Sequence, residues 1–75
     1  MARELRLYEV YGEVQYKDGH ERIYEDIVPA RSKREVKSDL DKKMKKSKIR
    51  LNYLEITEVE IPGYKISISP LENKV

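Results

Sequence analysis

The chain contains no cysteine, no tryptophan and no phenylalanine, and only three glycines and three prolines in 75 residues. Without cysteine there is no disulfide framework, no thiolate zinc site and no cysteine nucleophile. With tyrosine as the only aromatic (six residues) and 39% hydrophobic residues overall, the expected core is aliphatic and thin. No apolar run approaches the roughly 18 residues that a membrane helix requires. The start Met1-Ala2-Arg3-Glu4 has no apolar stretch of the signal-peptide kind. These absences predict a soluble, cytoplasmic protein. The length fits one small domain over residues 1–75, with ends expected to fray at 1–3 and 71–75.

Charge is abundant, at 40% of residues, yet 16 Lys and Arg nearly cancel 14 Asp and Glu, for a net charge of +2. The cancellation is not local. From Arg31 to Arg50 there are ten basic residues and three acidic ones (Glu35, Asp39 and Asp41), a segment charge of +7, which leaves −5 for the rest of the chain.

Periodicity organises the sequence around that segment. Asp18-Gly19 lies between two runs rich in Tyr, Val and Ile, the pattern of a β-hairpin closed by a two-residue type I′ turn. Such a turn pairs Lys17 with His20, Val14 with Ile23 and Val10 with Ile27. The four aliphatics then share one face, and Tyr11, Tyr24 and Arg22 fall on the other. The apolar parity of the first run changes between Leu7 and Tyr8, so a bulge or bend is expected there or at Gly12. Ser32-Lys33-Arg34-Glu35 fits a capping box, and Val36, Leu40 and Met44 recur every four residues behind it, a narrow helical seam for the apolar face of the hairpin. Residues 49–61 read as a third strand whose apolar parity switches, from a bulge or from apolar contact on both faces. Pro62-Gly63 marks a turn, and the alternation of Tyr64, Ile66 and Ile68 predicts a fourth strand ended by Pro70. The fold class expected is α+β: a two-layer ββαββ sandwich with one helix on a mostly antiparallel sheet.

Little here suits catalysis, cofactor or metal chemistry, and the chain is expected not to be an enzyme. His20, the only histidine, falls at a hairpin tip, the glycines are too scattered for a phosphate loop, and Glu58 and Glu60 lack His or Cys partners for a metal. The basic segment is the sharpest feature. Lys42, Lys43, Lys45, Lys46, Lys48 and Arg50 would gather at a helix end and the following loop, with Arg31 and Arg34 extending them at the helix start. Several cations on one surface release counterions on binding phosphates, and on A-form RNA such a patch reads backbone shape. A Lys- and Glu-rich surface of this kind also suits a merely solvated face, as in proteins from organisms growing hot. Tyr11 and Tyr24, placed as neighbours by the expected register, are candidates for stacking on an unpaired base.

The order of these elements resembles the archaeal large-subunit ribosomal protein LX family over residues 8–61. The similarity lies in Val10-Tyr11-Gly12 at the first strand, the Lys17-Asp18-Gly19 turn, Tyr24-Glu25 and Ala30 on the second strand, and Ser47-Lys48-Ile49-Arg50 after the helix, which keeps three of four residues of a Ser-Lys-His-Arg pattern. Lys46 stands where that family has Gly, and Ile49 where it has His. The resemblance implies a ribosomal RNA-binding protein in which Ser47, Lys48 and Arg50 meet the RNA. The sequence-based expectation is thus a small non-catalytic RNA-binding protein, with DNA as a further possible ligand. The alternative is a protein-interaction module, such as a small viral or mobile-element regulator, that dimerises or binds a partner through the edge of the strand at 64–69.

Overall fold

The computed structural model describes residues 4–69 and is built of β1 (Arg6–Gln15), β2 (Glu21–Ala30), α1 (Lys33–Ser47) and β3 (Arg50–Glu58). The sheet has the order β2-β1-β3, with β1 central and antiparallel to both neighbours. β2 and β3 therefore run in the same direction. Strands so related need a crossover connection, which α1 supplies by returning across one face of the sheet. The class is α+β with three strands where four are expected. The residues that read as a fourth strand, 64–69, form no ladder, and Tyr64 is 79% exposed. The Pro62-Gly63 turn does close, with the Tyr64 amide donating to the Ile61 carbonyl at 3.0 Å and Gly63 at φ 83°. The chain beyond it lies beside the start of β1, where Lys65 reaches Glu4 at 3.4 Å. The expectations for Pro70 and for residues 1–3 and 71–75 fall outside the described residues. Among the described residues no helix is long and apolar enough to cross a membrane.

The β1–β2 register differs by one residue from the one the Asp-Gly pair suggests. Gly19 has φ 93° but Asp18 does not share a positive φ, so the two residues do not make a type I′ turn. Instead the Gly19 amide donates to the Tyr16 carbonyl (3.0 Å) and the Tyr16 amide to the His20 carbonyl (2.8 Å), closing a three-residue loop with glycine at its left-handed position. The Asp18 carboxylate holds the loop by accepting from the His20 amide (3.0 Å) and approaching its Nδ1 (2.6 Å). Those contacts, the amide first, hold the Asp18 carboxyl below the usual range. With one more residue in the loop, Glu13 pairs with Ile23, Val14 with Arg22 and Val10 with Asp26. Every β2 side chain is thereby on the opposite face from the one expected.

The inner face of the sheet carries Tyr8, Val10, Gly12 and Val14 on β1, Val28 and Ala30 on β2, and Leu51, Leu54 and Ile56 on β3. Against it α1 buries Val36, Leu40 and Met44, the seam read from the sequence. Each of these three contributes about 1.5–3 kcal/mol by leaving water. Among the described residues no large side chain is below 2% exposure, so the core is as thin as the composition implies. The parity switch of β3 comes from a bulge: Tyr53 pairs with Glu13 and Leu51 with Val14, leaving Asn52 as the extra residue. β1 itself is unbroken from Arg6 to Gln15. Gly12, paired with Leu54 next to this irregularity, accommodates the close approach: a Cβ there would lie 3.3 Å from the Tyr53 carbonyl oxygen and 3.4 Å from Leu51 Cδ1.

Candidate nucleic-acid interface

The candidate interface is set by how α1 begins and ends. At its start the Glu35 amide donates to Ser32 Oγ at 3.2 Å, half of the expected capping box. The Glu35 carboxylate is turned instead toward Arg31, at 3.8 Å. At its end Lys48 takes the left-handed conformation (φ 58°, ψ 39°), its amide donating to the Lys45 carbonyl at 3.1 Å and that of Ile49 to Met44 at 2.9 Å. This is the Schellman arrangement, with Ile49 packed on the core near Met44. A lysine at the position where glycine is favoured costs about 1 kcal/mol. The cap turns the backbone straight into β3 and leaves the Lys42–Lys48 stretch on a rigid corner.

Helical spacing sorts the cations. The seam faces the sheet, so Lys42, Lys45 and Lys46, three and four residues apart, project to the opposite side, where Arg34 and Ser38 continue the row toward the helix start. Lys42 to Lys48 spans about 9 Å of helix axis. Among the described residues, ion pairs engage two cations of the basic segment: Arg31 with Glu35, and Lys37 with Asp41 at 2.9 Å. Glu35 and Asp41 are thereby spent away from the helix end. Lys42, Lys43, Lys45, Lys46 and Lys48 have no carboxylate within 4.0 Å among the described residues. Lys43 lies 5.5 Å from the centre of the Tyr24 ring and 3.5 Å from its hydroxyl, an arrangement that holds the ammonium group against the sheet. Ser47 is exposed at the last helical position.

Two expected features are corrected by the register. Tyr11 and Tyr24 do not share a face. Tyr24 pairs with Gly12 on the inner side under Lys43, while Tyr11 lies on the outer side edge-on to Tyr53, ring centres 6.2 Å apart. A single base cannot stack on both. Arg50 pairs with Gln15, whose parity also places it on the outer side, so it stands apart from the lysines although it is only two positions after Lys48. The same shift moves Arg22, expected on the outer face with Tyr11 and Tyr24, to the helix side: it lies opposite Val14 at the end of the sheet where α1 finishes. Only the correct turn length would have placed it there. Glu58, considered for a metal, is in an ion pair with Arg6 at 3.3 Å.

No protein-family model, curated protein or solved structure matches the chain.

Proposed function

We propose that the chain is a small non-catalytic RNA-binding protein that docks on phosphates through the C-terminal end of α1. Lys42, Lys45, Lys46 and Lys48 carry the contact, Ser47 adds a hydroxyl donor, and Arg34 and Arg22 widen it at either side. The observation that carries the proposal is the unspent charge: Lys42, Lys45, Lys46 and Lys48 stand at one corner without a carboxylate in ion-pairing reach among the described residues. Cations already paired with acids would release few counterions on meeting a phosphate chain; these would release theirs. A helix C-terminus offers carbonyls and no free amides, so lysine side chains must supply the attraction. They track a backbone and leave base edges unread, which suits folded RNA, where shape and phosphate position are the recognisable features. The resemblance to the ribosomal protein LX family narrows the proposed target to ribosomal RNA, with Ser47 and Lys48 innermost.

Fluorescence anisotropy with a labelled RNA junction tests this. With about four phosphates engaged, the logarithm of affinity should fall against that of salt with a slope of roughly −3. Joint replacement of Lys45, Lys46 and Lys48 by Glu should weaken binding by at least about 100-fold, while the melting temperature barely moves. A flat salt response ends the proposal, and a collapse of folding in the triple variant would make the cluster structural. Duplex DNA of equal length is the comparator that separates RNA shape from bare charge.

A further inference from the structure

The side of the sheet away from α1 has no covering layer among the described residues, and its side chains form an ordered array. Reading across β2, β1 and β3, successive rows are Ile23, Glu13 and Tyr53; Glu25, Tyr11 and Glu55; Ile27, Glu9 and Thr57. Ile23, Ile27 and Tyr53 are 55%, 58% and 46% exposed, which leaves two β-branched aliphatics and a ring in water. The carboxylates of Glu9, Glu13, Glu25 and Glu55 are interleaved with them. None of the four is in an ion pair among the described residues. Tyr53 donates its hydroxyl to Glu55 at 2.7 Å, so its ring is held across the patch by the same acid that charges it.

We infer that this face is a docking surface for a protein partner presenting arginines among apolar side chains. Repulsion excludes nucleic acid and anionic lipid. A symmetric pair of this chain would set carboxylate against carboxylate, and like charges placed opposite one another are strongly disfavoured across an interface. The helix of a second copy brings cations but no apolar side chain on its outward row, so it leaves Ile23 and Ile27 uncovered. The occupant must match both chemistries at once. Because the acids lie between the apolar groups, the partner's cations must also sit inside its apolar patch. Guanidinium is suited to this position: it is less strongly hydrated than ammonium, forks onto carboxylates and stacks on tyrosine rings such as Tyr11 and Tyr53.

The test is a nitrogen-15 NMR titration of the whole chain with a helical peptide bearing Leu and Arg mixed on one face. Shifts should concentrate on residues 9–13, 23–27 and 53–57. Affinity should drop about tenfold or more for each of three changes: Leu to Ser in the peptide, Ile23→Ser with Tyr53→Ser in the protein, or Glu13→Gln with Glu25→Gln. Arg to Lys in the peptide should weaken binding by a smaller factor, and the triple lysine variant of the helix end should bind the peptide unchanged. Since Ile23 and Tyr53 are exposed, their replacement should leave the dispersed spectrum intact. Shifts scattered over the molecule, equal affinity for the Leu-to-Ser peptide, or a dimer in sedimentation velocity that disappears on Ile23→Ser would each overturn the inference.

Discussion

The two broad surfaces of this molecule lie a single layer apart and are chemically opposed. The outward row of α1 is cationic and free of apolar groups, and two of the helix's three acids, Glu35 and Asp41, are paired with Arg31 and Lys37. The far side of the sheet is anionic apart from Arg50 at one end and carries the exposed Ile23 and Ile27. A formal charge of +2 conceals both. Placement decides what a protein can attract, and in a 75-residue chain a helix and a three-stranded sheet suffice to hold fields of opposite sign apart.

The largest perturbation should abolish the distinction altogether. Leu40 is central in the seam that joins the layers, and Leu40→Ala should cost about 2–5 kcal/mol, a large part of the stability of a domain this small. Urea denaturation would read it, and both surfaces should lose their ligands together. If one survives, the layers are less interdependent than the packing indicates.

A smaller change sharpens the cationic side alone. Lys48→Gly relieves the left-handed backbone and should stabilise the chain by about 1 kcal/mol, while flattening the salt dependence of RNA binding by roughly 0.7 on the single-strand coefficient. Greater stability with weaker, less salt-sensitive binding would identify Lys48 as a residue held in a disfavoured conformation for the sake of its charge. An unchanged slope would remove it from the contact.

The smallest effect belongs to the anionic side. The hydrogen bond to Glu55, then the charge of Glu55, with partial loss of water and the charge of Glu13 behind them, raise the Tyr53 hydroxyl above the usual tyrosine value of 10.0. A raised folded value means that this residue favours the folded state while protonated. That contribution is complete below the unfolded value and is lost as pH rises through the folded one. Ultraviolet titration should therefore show Tyr53 ionising late, and Glu55→Gln should bring it earlier; no difference between the two proteins would show that the acids do not act on the ring.

The features legible in the sequence are those fixed by neighbours along the chain. Ser32 as a cap and the four-residue recurrence of Val36, Leu40 and Met44 need only local geometry, and both are in place. The existence of the first hairpin was readable from Asp18-Gly19 for the same reason. Its register was not, because Asp-Gly serves a three-residue loop as readily as a two-residue turn, and the contacts that accompany the longer loop, the Asp18 carboxylate on the His20 amide and ring with Gly19 alone at a positive φ, exist only once the chain has closed. Hence Tyr24 and Arg22 lie on the side opposite to the one a two-residue turn implies, and Tyr11 and Tyr24 are not neighbours. The fourth strand failed differently: Tyr64, Ile66 and Ile68 alternate correctly, but alternation supplies no partner edge, and a strand exists only where one pairs.

The three-residue loop at 17–19 has a consequence for how such a chain can change over generations. Loss of one codon there would leave a two-residue turn and rotate β2 about its own axis relative to β1, exchanging its inside for its outside. Ile23 and Ile27 would move under the helix, and Tyr24 and Val28 would be presented to solvent. A single in-frame deletion could thus rewrite one flank of the sheet without altering any remaining amino acid.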